Sequence, residues 1–193
     1  CQISGLQLPN KGSGMSELKI YTEQAVNENL TRDPVEIASS LRAVGVRFEQ
    51  WQPDAPVKAG DSQELILQAY QRDIARIVSE EGFVTVDVIS VDNQNPNKAA
   101  LRQKFLSEHI HTEDEVRFFV DGCGLFYLHV AGKVYSVLCE KGDLISVPAN
   151  TPHWFDLGAE PELAAIRFFN NPDGWVAHYS GDAIADRFPK MDE

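Results

Sequence analysis

The chain has 193 residues, 43% hydrophobic and 24% charged, which suits a globular fold with a sizeable core. Its formal net charge is −12, from 17 Lys and Arg against 29 Asp and Glu. That balance opposes nucleic acid and anionic membrane as partners, because both select basic surfaces.

No apolar run approaches the ~20 residues of a membrane helix, and no secretory signal pattern is present. Three widely spaced cysteines, Cys1, Cys123 and Cys139, do not suggest a disulfide framework. The expectation is a cytoplasmic protein whose cysteines serve as small buried apolar residues.

Residues 1–14 are rich in Gly, Pro, Ser and Asn and lack periodicity. Met15-Ser16-Glu17-Leu18 reads as a translation start, so 1–14 is expected to be a flexible N-terminal extension or a cloning remnant, and 15–193 a single domain. Leu18 to Tyr21 reads as a first strand. Asp33-Pro34-Val35-Glu36 predicts a helix start, with Asp33 as N-cap, Pro34 at the first helical position and Glu36 completing a capping box. Ile37, Leu41 and Val44 follow at helical spacing, and Gly45 is placed to end the helix. Val46 to Trp51 alternates like a short strand before Pro53 and Pro56. Asp61-Ser62-Gln63-Glu64 opens a longer helix, with Ile66, Tyr70, Ile74 and Ile77 as its core stripe and Gly82 at its end. Phe83 to Val91 reads as a strand, and Asn95-Pro96 opens a short helix carrying Leu101 and Phe105.

Beyond that helix the texture changes. Val116–Val120, Leu125–Val130, Val134–Leu138, Leu144–Val147, His153–Asp156 and Leu163–Phe169 are short apolar runs separated by glycine-containing turns such as Gly122-Cys123-Gly124 and Lys141-Gly142-Asp143. Such spacing predicts an antiparallel sandwich or barrel. Asn171-Pro172-Asp173-Gly174 reads as a turn, and Asp182 as the cap of a last short helix over Ile184 and Phe188.

One stretch, His109-Ile110-His111-Thr112-Glu113-Asp114-Glu115, carries chemistry. Residues two apart on a strand share a face, so His109 and His111 are neighbours. Glu115 shares that face if the strand continues; if Thr112 to Asp114 turn, Glu115 opens the next strand and parity decides nothing. A third histidine, His153, follows Val147-Pro148-Ala149-Asn150-Thr151-Pro152. Imidazoles with a carboxylate suit a first-row divalent metal. The alternative is a set of surface histidines near acids.

His109-x-His111, three residues, Glu115, six residues, Gly122 resembles the first cupin motif. Gly142 through Pro148 and Asn150 to His153 resembles the second, with Asn150 where glycine is usual. Longer stretches resemble the acireductone dioxygenase family: Glu108 to Phe119, Leu138 to Pro148, Pro152 to Asp156, Gly45 to Trp51 and Asn171 to Trp175. The resemblance covers nearly everything after Leu18. It implies a mainly β fold, a cupin-type jelly-roll β-barrel with N-terminal helices packed outside. It also implies one Fe(II) or Ni(II) per chain, held by His109, His111, Glu115 and His153, in a monomer acting on an acireductone and O2.

A six-coordinate metal with four protein ligands leaves two positions for a substrate that chelates through two oxygens. Arg117 shares the parity of Glu115. The resemblance makes it the catalytic cation for the substrate dianion; the other reading is an ion pair with Glu115, Asp114 or Asp121. Arg167 is a second interior cation, either for substrate or structural. Phe105, Phe155 and Trp175 are candidates for lining the pocket of an apolar methylthio tail, or are core. Glu108 and Asp114 match accessory family positions, linked to metal incorporation and conformational relay, while their residue type alone reads as solvated acid. Two other readings remain: a cupin sugar-phosphate isomerase, which would need several cations, and a non-catalytic cupin that binds a small ligand.

Overall fold

The computed structural model describes residues 15–193, so the expectation for 1–14 lies outside the described residues. β1 (Glu17–Thr22) and β2 (Asn27–Thr31) form a hairpin, followed by α1 (Pro34–Arg42) and β3 (Arg47–Gln50). Then come α2 (Gln63–Ala69), α3 (Gln71–Glu81), β4 (Thr85–Val91) and α4 (Lys98–Leu106). The strand-rich remainder holds β5 (His109–Ile110), β6 (Glu115–Val130), β7 (Lys133–Glu140), β8 (Asp143–Val147), β9 (His153–Asp156), β10 (Leu163–Phe169) and β11 (His178–Tyr179).

Most local signals produce the expected elements. The Asp33 carboxylate accepts from the Val35 and Glu36 amides, capping α1. The capping box is not closed: Glu36 instead accepts from the Thr31 hydroxyl at 2.5 Å, which ties α1 to the end of β2. At the other end, Gly45 N–H bonds Arg42 O and Val46 N–H bonds Leu41 O, with Gly45 at φ 83. This Schellman arrangement lets the chain reverse into β3. The helix expected from Ser62 to Gly82 breaks at Tyr70 (φ −113, ψ 15) into α2 and α3. Tyr70 is buried against Phe118 at that break, so tertiary packing of its ring overrides helical continuity. The final segment, Ile184–Arg187, is a 3-10 turn; Asp182 accepts from the Ile184 amide.

The main departure from expectation is β6. The Val116–Val120 and Leu125–Val130 runs belong to one 16-residue strand, with Gly122-Cys123-Gly124 inside it. The first half of β6 pairs with β8 and β10, the second with β7 and β9. A bulge opposite Ala164 and Ala165 marks the change of partners. Glycine is needed there because the backbones crowd: a Cβ on Gly122 (φ +73) would lie 1.6 Å from Glu162 O, and one on Gly124 would lie 2.3 Å from the Phe155 ring.

β6 therefore belongs to both faces of a jelly-roll sandwich. One face runs β11-β5-β9-β6-β7-β1-β2; the other contains β4, β10, β6, β8 and β3. The pairing path is open rather than closed into a ring. Phe119, Phe126, Phe155, Ile145 and Val137 fill the space between the faces, joined by Ile37 and Leu41 of α1. Burying such a side chain stabilises the fold by about 2 kcal/mol. A second cluster, including Trp51, Tyr70, Ile77, Phe118 and Phe168, seats α2 and α3 on the outside of the second face.

Cys139 is a free buried thiol and Cys123 is buried too, in line with the expectation for these two, while Cys1 lies outside the described residues. Among the described residues no helix is long and apolar enough to cross a membrane.

Candidate functional site

β5 is only two residues long and is bridged to β9 at one position, His109 opposite His153. Residues 112–114 turn, so Glu115 opens β6, and its place beside the histidines comes from the sheet rather than from strand parity. The turn preceding His153 needs a left-handed residue, and Asn150 supplies it at φ 62. The Asn150 amide donates to His111 O at 2.8 Å, fastening the two histidine-bearing segments together.

His109, His111 and His153 converge so that one ring nitrogen of each lies within 4.8 Å of the others. All are buried: His109 1%, His111 3% and His153 1% exposed, with Glu115 at 5%. A backbone carbonyl sets each tautomer. His109 Nδ1–H donates to Ser107 O at 2.7 Å, His153 Nδ1–H to Thr151 O at 2.7 Å, and His111 Nδ1–H to Val176 O at 3.1 Å. With Nδ1 committed, each ring offers Nε2 to the shared centre. Glu115 Oε2 lies 2.9 Å from His153 Nε2 and 3.4 Å from His111 Nε2.

The electrostatics suit that geometry. Burial, with His153 adding to it, lowers the His109 pKa to about 4, leaving the imidazole neutral at pH 7. Burial also opposes charge on His111, but the adjoining Glu115 carboxylate outweighs it and raises that pKa. For Glu115 burial opposes ionisation, yet Arg117 and the neighbouring His111 and His153 imidazoles hold it well below the usual carboxylate range. Three imidazole nitrogens converging in a buried space, with the Glu115 carboxylate against two of them, form a donor set that fits a first-row divalent metal.

Arg117 donates through Nε to Glu115 Oε1 at 2.6 Å, so one of the expected ion-pair partners is present. Its guanidinium carbon also lies 5.2 Å from the Trp175 ring and 6.0 Å from the Phe155 ring. Arg167 stands opposite Arg117 across β10 and β6. It is committed to a two-pronged pair with Asp87 at 2.8 and 2.5 Å, which leaves few free cations for a phosphate. Trp175 packs on Phe169 and donates through Nε1 to Asp114 O. Phe155 packs on Phe126, and Phe105 lies beside His109, ring centres 6.1 Å apart.

Glu108 is not a solvated acid, and Asp114, half-buried, has a backbone partner. Glu108 is buried and accepts from His129 Nδ1 at 2.6 Å. Asp114 accepts from the Ala149 amide at 2.8 Å, bracing the loop that leads to His153. The three orienting carbonyls and His129 have no counterpart among the residues expected from sequence. A carbonyl is common to every residue, and His129 lies 21 positions from Glu108, so no local pattern marks either.

The ARD/ARD' family model matches residues 17–177. An acireductone dioxygenase from Alcanivorax borkumensis is 56% identical over 179 residues, covering 91% of this chain and 98% of the relative. One from Pseudomonas paraeruginosa is 54% identical over 181 residues, covering 93% of this chain and 100% of the relative. Among solved structures, an acireductone dioxygenase from Bacillus anthracis with a cadmium ion in its active centre aligns with TM-score 0.76 and 33% identity, over 87% of this chain and 100% of that one. By sequence along almost its whole length, and by fold, the chain belongs to the ARD/ARD' family of acireductone dioxygenases.

Proposed function

We propose that the chain oxidises 1,2-dihydroxy-3-keto-5-methylthiopentene with O2 at the site built from His109, His111, Glu115 and His153, in methionine salvage. The observation that supports this most is the convergence of three carbonyl-oriented imidazoles, two of which, His111 and His153, stand against the buried Glu115 carboxylate.

These four residues would hold one Fe(II) or Ni(II). When bound there, such an ion supplies Lewis acidity and a template for two substrate oxygens. The protein contributes the rest. His109, His111 and His153 present Nε2 because their Nδ1 protons are tied to carbonyls. Arg117 supplies a permanent positive charge beside Glu115, placed to favour the substrate as its dianion. Phe155 and Trp175 flank that guanidinium and give the methylthio end an apolar surface, with Phe105 beside His109. Arg167 and Asp114 act at one remove by positioning Trp175. Glu108 braces the approach to His109.

The iron-loaded protein would give 4-methylthio-2-oxobutanoate and formate. The nickel-loaded protein would give 3-methylthiopropanoate, formate and carbon monoxide. Carbon, hydrogen and oxygen balance in both cases with one O2 consumed. The chain is proposed to act as a monomer, and the net charge of −12 supports a small-molecule partner over a polyanion. The test is O2 uptake on adding the acireductone under air, with an anaerobic control. A sugar-phosphate isomerase would turn over its own substrate without O2, and a non-catalytic cupin would consume nothing.

A further inference from the structure

His109 and His153 are oriented in the same way. In each, Nδ1–H donates at 2.7 Å to the carbonyl two residues earlier, Ser107 O and Thr151 O. Each carbonyl is held only as firmly as the short segment that carries it. Ser107 lies between α4 and β5, and Thr151 lies in the loop before β9, so neither belongs to a helix or strand.

The middle residue of each segment is bonded to His129, the contact the two segments share; Ser180 N–H also donates to the Glu108 carbonyl at 3.1 Å. Its ring Nδ1–H donates to Glu108 Oε2 at 2.6 Å. Its backbone N–H donates to Pro152 O at 2.9 Å. The far side of the ring is fixed in turn: Nε2–H donates to Glu23 Oε1 at 2.8 Å, and Arg187 donates to the Glu23 carbonyl at 3.1 Å. With a carboxylate on each nitrogen, the ring carries both protons. His129 itself stands next to Leu128, whose strand position pairs with His153.

We propose that His129 is a positioning residue for the metal centre, acting through Glu108 on the Ser107 carbonyl and through Pro152 on the Thr151 carbonyl. It thereby fixes the ring orientations of both His109 and His153. The side-chain half of this grip depends on the Nδ1 proton alone. The inference rests on His109 and His153 being metal ligands.

The test uses substitutions that separate the two ring nitrogens. His129→Asn keeps a donor near the Nδ1 position, facing Glu108. His129→Gln places its donor near the Nε2 position, facing Glu23, and His129→Phe has neither. The purified proteins are stripped, titrated with Co(II) alone against a competing chelator, and followed by the visible spectrum of bound Co(II). Urea unfolding of the stripped proteins is measured alongside.

The expected result is that His129→Gln and His129→Phe lose ~10-fold or more in Co(II) affinity, the usual range for residues that orient ligands. Their Co(II) spectra should change as well, and His129→Asn should restore both affinity and spectrum. Wild-type affinity in His129→Gln would overturn the proposal. So would a loss in His129→Asn as large as in His129→Gln. If His129→Phe fails to fold, the Asn and Gln pair still decides. A wild type that binds no Co(II) would instead overturn the metal-site reading beneath it.

Discussion

Arg117 and Glu115 share a 2.6 Å ion pair in which the carboxylate works in two directions: Oε1 takes the guanidinium, while Oε2 faces His153 Nε2 at 2.9 Å. A cation is thus attached directly to a member of the candidate metal set. The charge that keeps Glu115 ionised is also available to an anionic substrate.

Arg117→Met should keep the metal and lose most turnover. Glu115 retains His111 and His153 as neighbours, so the donor set stays assembled. A preorganised charge of this kind is worth about 3 kcal/mol, or ~100–1000-fold in rate. Metal content, steady-state kinetics and the ultraviolet spectrum of bound substrate check it. Wild-type turnover would make the arginine purely structural.

His153→Ala should leave the fold intact, empty the site of metal and abolish activity. His153 comes from β9, whereas His109, His111 and Glu115 come from one short stretch, so it closes the site from a separate strand. The cavity it would leave lies at the centre rather than among the packed phenylalanines. Circular dichroism and metal analysis read the two effects separately. Full metal occupancy in this variant would contradict the ligand assignment.

Much of this was legible in the residues. The His-x-His spacing put His109 and His111 on one face, and the motif residues led to His153, whose segment Asn150 bends through its positive φ. Helix starts at Asp33 and Ser62 and stops at Gly45 and Gly82 are local chemistry, so they could be read. What could not be read is set by distant partners. Gly122 and Gly124 looked like a turn because glycine marks both turns and crowded backbone, and only the approach of Glu162 and Phe155 distinguishes them. Glu108 looked solvated because its partner His129 is remote in sequence. Tyr70 broke a helix that its own neighbours would have continued.

Acid stability should carry a contribution from Glu49, well away from the metal centre. Burial raises its pKa, but hydrogen bonds from Arg76, Trp51 and Arg47 outweigh that and hold it at about 2, against an ordinary 4.5. A folded-state pKa below the unfolded one contributes stability that is complete above 4.5 and lost as pH falls toward 2. Glu49→Gln should therefore lower the urea midpoint at pH 7, with the gap from wild type narrowing by pH 3. An equal gap at both values would mean that the carboxylate charge is not what joins β3 to α3.

The most direct test of the account is to strip the protein, reload it separately with Fe(II) and Ni(II), verify metal content, and supply the acireductone under air. Dissolved O2, headspace gas and acid products are then followed. Both reloaded forms should take up O2 and release formate and the stripped protein neither, with carbon monoxide from the nickel form alone. Fully loaded protein that consumes no O2 with either metal would contradict this.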